Sequence, residues 1–218
     1  MPRDLEYPAE ISLPITGTAG SIPAHNAITE PHRPMYLLRS GDDWADVTAK
    51  QFDDQVRAVA KGLVARGIEA GSPVGLLAPT SYEWAVLDFA LWRIAAFAVP
   101  IYDSSSAEQI EWILTDSGAV AVIADSAAAV QRVQQAGDPP PVWCIEDDLL
   151  AALAAEGAGI DDEVLEQRLA GASAQDVATI VYTSGTTGRP KGCVLPHENL
   201  LFVVRTLVAT TGPVVAQP

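Results

Sequence analysis

The chain has 218 residues, with 28 acids against 13 bases and a formal charge of −15. Its 49% hydrophobic content and five Trp are enough to bury a core, which excludes intrinsic disorder, while the acidity disfavours nucleic-acid binding and weakens docking on an anionic leaflet. Two cysteines, Cys144 and Cys193, cannot form a disulfide framework and point to a reducing compartment; the expected location is the cytoplasm, with peripheral contact on the inner face of a membrane left open.

Residues 1–35 hold six of the sixteen prolines without clear periodicity and read as an irregular arm lying over a domain. The first ten residues show no apolar core of a secretory signal. MYLLR from Met35 and the Gly41-Asp42-Asp43 turn predict a strand pair continuing through 44–47. Thr48-Ala-Lys-Gln51 is a capping-box pattern, and Phe52, Val56, Val59 and Leu63 then recur at helical spacing up to Gly67, a natural C-cap. A buried strand is expected over 73–78. Thr80-Ser-Tyr-Glu83 is read as a second capping box, opening a helix through Trp84, Leu87, Leu91 and Ile94. The apolar stretch 84–101 carries Asp88, Arg93 and Pro100, so it reads as buried structure rather than a membrane span.

A strand over 98–101 precedes Ser105-Ser-Ala-Glu108, read as a third capping box before a helix through Ile110, Ile113 and Leu114. Residues 120–124 and 142–145 are again strand-like. This alternation implies an α/β fold, a parallel-type sheet with flanking helices on both faces. Residues 138–176 contain ten acids and one base; they are read as a solvated acidic surface segment with one helix near 162–169.

From 177 to 197 the acids disappear, leaving Arg189, Lys191 and His197 as the ionisable candidates for a cation. A strand over 177–182 leads into TSGTTGRPKG (183–192), followed by a strand over 193–195 and a helix from His197 to about Leu207. Three glycines let the backbone turn sharply and approach an anion, and the hydroxyls of Thr183, Ser184, Thr186 and Thr187 add uncharged donors. Exposed amides in such a turn form an anion-binding concavity, Lys191 supplies a mobile point charge suited to phosphate, and Pro190 restrains the backbone beside it. The loop is neither a Walker A sequence, since Gly188 and Lys191 stand three apart, nor G-x-G-x-x-G.

YTSGTTGRPKG (182–192) resembles the phosphate-loop signature of the adenylate-forming superfamily, which includes acyl-CoA synthetases, aryl-acid ligases, luciferases and peptide-synthetase adenylation domains. PHENL (196–200) resembles the stretch immediately after that loop in the same superfamily. YEWAVLDF (82–89) and VPIYDSSSAEQI (99–110) are similar to the bacterial long-chain fatty-acid–CoA ligases, where other branches have Asn-Pro in place of Val99-Pro100. The resemblance runs from about Met35 to Leu207. It implies that this chain is the N-terminal portion of the large domain of an adenylate-forming enzyme, with an incomplete AMP-binding domain over 36–218.

The implied chemistry is attack of a fatty carboxylate on the α-phosphate of ATP, then displacement of AMP by the thiol of coenzyme A. The implied ligands of the β- and γ-phosphates are Thr183, Ser184, Gly185, Thr186, Thr187, Gly188 and Lys191, with Mg²⁺ neutralising the phosphates and Thr183 as a candidate Mg²⁺ ligand. The family's catalytic residues and its small C-terminal domain are expected beyond residue 218, so the chain is expected to be inactive alone. Two alternatives stay open: another adenylate-forming ligase acting on an aryl acid or amino acid, and a non-catalytic nucleotide-binding module. Nothing in the residues fixes an oligomeric state. His197 reads as a polar helix start, Cys193 as a small strand residue, and Trp84, Trp92 and Trp112 as core packing on apolar stripes.

Overall fold

The computed structural model describes residues 17–41, 43–183 and 189–215. A 3₁₀ turn, Ala19–Ser21, leads into α1 (Ile22–Thr29); the antiparallel hairpin β1 (Pro34–Ser40) and β2 (Asp43–Thr48) comes next. Then come α2 (Ala49–Ala65), β3 (Pro73–Leu77), α3 (Tyr82–Arg93), β4 (Phe97–Pro100), α4 (Ala107–Ser117), β5 (Ala121–Ala124), α5 (Ala127–Gln134) and β6 (Val142–Cys144). The remaining elements are α6 (Leu149–Glu156), α7 (Asp162–Gly171), β7 (Val177–Thr183), β8 (Lys191–Pro196) and α8 (His197–Val215). The main sheet runs β6-β5-β3-β4-β7-β8, with every pairing parallel except β7 with β8.

The period of two in the central strands sends alternate side chains to two separate cores. On one face Val74, Leu76, Ala98, Ala121 and Ile123 meet α2, α3, α6 and α7 through Phe52, Leu63, Leu87, Leu91, Leu153 and Leu165. On the other, Leu77, Val99, Val122 and Ala124 meet α4 and α5 through Ile110, Ile113, Leu114, Ala129 and Val133. Each large aliphatic side chain fully withdrawn from water here contributes about 1.5–3 kcal/mol before ordering costs. The parallel sheet with helices on both faces is therefore as the alternating pattern implied.

Several local expectations are corrected. The arm before residue 35 is irregular only in part: among its described residues, 22–29 form α1, with Pro23 in the first turn where a missing N–H costs nothing. The capping box of α4 is Ser106 with Gln109, not Ser105 with Glu108; the Ser106 hydroxyl accepts from the Gln109 amide at 3.3 Å and the Gln109 side chain accepts from the Ser106 amide at 2.9 Å. α3 is capped by Ser81, which accepts from the Trp84 amide at 3.1 Å, and Trp84 has no acceptor to return the bond, so no box closes. Thr48 and Gln51 do close one.

The acidic segment is likewise more than a solvated surface. It holds the expected strand and helix as β6 and α7 and adds α6, it buries Leu149, Leu153 and Leu165, and three of its acids pair with bases on α2, just after it and on α3. Glu156 meets Arg66 at 2.7 Å, Asp162 meets Lys61 at 2.8 Å and Arg57 at 2.5 Å, and Glu166 meets the buried Arg93 at 2.5 Å. Hydrogen bonds from Lys61 and then Arg57 hold the Asp162 carboxyl down to about 2. Among the described residues, no helix is long and apolar enough to cross a membrane.

Candidate functional site

Parallel strands end together, so the C-terminal ends of β3, β4 and β7 share one edge of the sheet, the edge where open α/β sheets take up ligands. The glycine-rich segment leaves from that edge. Thr183 is the last residue of β7, Lys191 is the first of β8, and the two stand directly opposite in the antiparallel register. Opposed residues of such a pair share a face, so the Thr183 hydroxyl and the Lys191 ammonium lie on one side of the hairpin, both exposed. Of the seven expected phosphate ligands, the structure brings these two together; Ser184, Gly185, Thr186, Thr187 and Gly188 lie outside the described residues.

One residue back, Tyr182 stands opposite Gly192 on the other face. Gly192 was expected to serve the turn; instead it lies inside β8 and serves a close approach. A Cβ there would meet Ile180 Cγ2 at 2.9 Å and the Tyr182 ring at 3.1 Å, so glycine gives the ring room to lie across the strand. Tyr182 is buried and its hydroxyl donates to Asp116 Oδ2 of α4 at 2.7 Å. Burial first, and then that carboxylate, push the phenol well above its ordinary range, so it stays a donor at every physiological pH.

The far stem of the segment reaches the same helix. The Trp112 indole Nε1–H donates to the Pro190 carbonyl at 3.0 Å, and the Arg189 guanidinium carbon sits 4.6 Å from the Trp112 ring centroid, a cation–π distance. A cleft of about 520 Å³ opens between α4 and this stem, lined by Ser106, Gln109, Glu111, Trp112, Thr115 and Arg189. Trp112 packs against the second core as expected, and also makes these two contacts, which its place on an apolar stripe did not announce. Neither Trp112 nor Asp116 carried a sequence signal, because each is more than sixty residues from the stem it touches.

His197 is not simply a polar helix start. It is 2% exposed, its Nδ1 accepts from the Ala19 amide at 3.3 Å, and its ring meets Trp92 edge-on at 5.7 Å. Burial pushes its pKa down to about 4, so the imidazole is a neutral acceptor that fixes the start of α8 to the turn before α1. Cys193 is exposed in β8 and Cys144 is buried, both as free thiols.

Among the described residues, no group of three or more His, Cys, Asp or Glu side chains could hold a metal ion. Thr183 offers one exposed hydroxyl, which fits an ion whose remaining ligands are phosphate oxygens and water rather than a protein cage.

A profile of the family described as "AMP-binding enzyme" matches residues 24–217. The long-chain-fatty-acid–CoA ligase FadD15 of Mycobacterium bovis is 36% identical over 210 residues, covering 93% of this chain and 35% of that protein. The chain thus spans about a third of the length of this curated relative and its Mycobacterium tuberculosis counterpart. The N-terminal domain of FACL13 from Mycobacterium tuberculosis, solved with an inhibitor, superposes with a TM-score of 0.65 at 28% identity, over 85% of this chain and 46% of that one. A fatty acyl-adenylate ligase from L. pneumophila, solved with acyl adenylate and pyrophosphate, superposes with a TM-score of 0.69 at 21% identity, over 88% of this chain and 32% of that one, a likeness of fold alone.

Proposed function

The chain belongs to the AMP-binding enzyme family, and from that premise we propose that it carries the phosphate-binding segment of an ATP-dependent long-chain fatty-acid–CoA ligase. The observation that carries this reading is the placement of Thr183 and Lys191. They face one another across the stems of a glycine- and hydroxyl-rich segment, at the carboxyl edge of the parallel sheet, within 21 residues free of acids in a chain of charge −15. The name of the relative at 36% identity, a long-chain-fatty-acid–CoA ligase, supports fatty acyl substrates over aryl or amino acids.

In the proposed reaction, a carboxylate oxygen of the fatty acid attacks the α-phosphorus of ATP. The bond to the bridging oxygen breaks, and pyrophosphate leaves with its electron pair. The thiolate of coenzyme A then attacks the acyl carbon and AMP departs, leaving the thioester. This chain's share is to bind and orient the β- and γ-phosphates. Backbone amides and hydroxyls of 183–188 donate to the phosphate oxygens, and Lys191 stabilises the charge that grows on pyrophosphate as it leaves. Mg²⁺ reaches the site as part of the nucleotide substrate, with the Thr183 hydroxyl as a candidate ligand. The groups that hold the adenine, the acyl chain and coenzyme A are assigned to the part of the relatives that this chain does not span.

Lys191→Ala in a complete ligase containing this segment is expected to slow fatty-acid-dependent ATP–pyrophosphate exchange by roughly 10²-fold or more, the usual effect of removing one positioned electrostatic donor. Exchange at the unsubstituted rate would remove Lys191 from the phosphate role. The 218-residue chain alone is expected to show no such exchange, and its detection would contradict the assignment of the remaining groups.

A further inference from the structure

A loop that cradles phosphate by its amides needs both ends fixed, because an amide cradle depends on where its backbone enters and leaves. The geometry points to Trp112 and Asp116 as positioning residues that clamp both stems of the 184–188 segment to a single helix, an inference that rests on the phosphate-binding reading of that segment.

The two residues are four apart on α4 and so lie on one stripe of that helix. Asp116 takes the Tyr182 hydroxyl, one residue before Thr183 on the entry stem. Trp112 takes the Pro190 carbonyl and carries the Arg189 guanidinium on its ring, one and two residues before Lys191 on the exit stem. The two proposed phosphate contacts at the stems, Thr183 and Lys191, are therefore each flanked by a residue tied to α4.

The helix is suited to act as the fixed body. Its first turn is locked by the Ser106–Gln109 capping box, and Gly118, at φ 67°, closes its C-terminal end with bonds to Leu114 and Thr115. Its other stripe, Ile110, Ile113 and Leu114, is buried in the second core against β3, β4 and β5. Gly192 completes the device, since a Cβ there would crowd Ile180 at 2.9 Å and the Tyr182 ring and hydroxyl at 3.1 and 3.2 Å, where Tyr182 crosses β8. The role inferred for Trp112 and Asp116 is exerted through the stems, by the hydrogen bonds to Tyr182 and Pro190.

The test uses the chain itself with four single variants. Tyr182→Phe and Trp112→Phe each delete one donor while keeping an aromatic ring; Asp116→Asn keeps an acceptor for the tyrosine; Ile113→Val alters the core stripe of α4 without touching the clamp. Circular dichroism sets a temperature at which every variant is folded. Titration calorimetry then gives the MgATP dissociation constant, and amide hydrogen exchange reports on 184–188. Loss of one hydrogen bond predicts a roughly threefold to tenfold weaker MgATP affinity, with faster 184–188 exchange, for Tyr182→Phe and Trp112→Phe. Asp116→Asn and Ile113→Val should stay within about twofold of the parent.

If the parent binds MgATP and both donor-deletion variants bind equally well with unchanged exchange, the clamp is overturned. An equal loss in Ile113→Val would also overturn it, since general destabilisation would then account for the effect. A parent chain that binds neither MgATP nor magnesium pyrophosphate, which needs no adenine site, overturns the phosphate reading instead. In that case unchanged 184–188 exchange in Tyr182→Phe and Trp112→Phe still overturns the clamp.

Discussion

The central strands and the edge hairpin of the same sheet are held by different physics. In β3 and β5 nearly every side chain is buried between two layers of helices, and the strands are positioned by bulk apolar burial on both faces. In the β7–β8 hairpin, residues 191–194 are exposed, β8 pairs among the described residues with β7 alone, and directed contacts from Tyr182, Trp112 and His197 add to the burial of Ala178 and Tyr182 in β7. The helix after it exposes Phe202 at 64% and Val203 at 62%, so this edge also presents apolar surface that the centre does not. Bulk burial gives stability but tolerates small shifts, whereas a phosphate loop needs placement. Substitutions in the centre should therefore cost stability, and substitutions at the hairpin should cost ligand affinity.

The largest expected effect tests the central side of that division. A Cβ at Gly62 of α2 would lie 2.1 Å from the Leu153 carbonyl oxygen of α6, a backbone atom that cannot swing aside. Gly62→Ala should lower unfolding free energy by about 3 kcal/mol, read from denaturant titration, because the two helices must separate. The MgATP affinity of the folded fraction should be unchanged. A variant as stable as the parent would contradict the close helix contact, and one that loses affinity while folded would blur the division.

A second effect separates the two regions by pH. Burial holds His197 near 4 against an ordinary 6.5, so between those values the unfolded chain takes up a proton that the folded chain refuses. Its contribution is intact above about pH 6.5 and is lost as pH falls toward about 4. Asp88, in the core helix α3, has the opposite sign. Burial lifts it to about 8 against 3.8, so the folded chain keeps a proton that the unfolded chain gives up, and stability falls as pH rises across that window. Denaturant midpoints measured from about pH 4 to about pH 8 should show Asp88→Asn gaining on the parent as pH rises. His197→Gln should gain on the parent as pH falls below 6.5. Parallel curves for parent and variant would remove the corresponding group from the buried set.

The sequence disclosed its fold along the same line between bulk and directed contacts. The apolar runs at 73–78, 98–101 and 120–124 announced the central strands because burial on both faces leaves a continuous hydrophobic signature. The segment proposed to bind phosphate stood out through residue types that an anion site requires at close spacing. α5 and α6 were missed because their sequences, AAAVQRVQ and LLAALAAE, are short and alanine-rich, and α6 lays the Leu153 backbone against a glycine of its neighbour. The α4 capping box was misplaced by one residue because three consecutive serines offer equivalent caps and glutamine serves at the third position as well as glutamate. The pairings of Trp112 and Asp116 with the hairpin, and of His197 with Ala19, span 66 to 178 residues and have no local pattern at all.

The central claim is that the hairpin edge, and not the buried centre, meets the nucleotide phosphates. Titrating MgATP into the isotope-labelled chain and tracking backbone amide resonances tests it directly. The largest shifts are expected at Thr183, across 184–188 and at Lys191, with β3 and β5 unmoved; absent shifts over 183–191, or larger ones elsewhere, would contradict it.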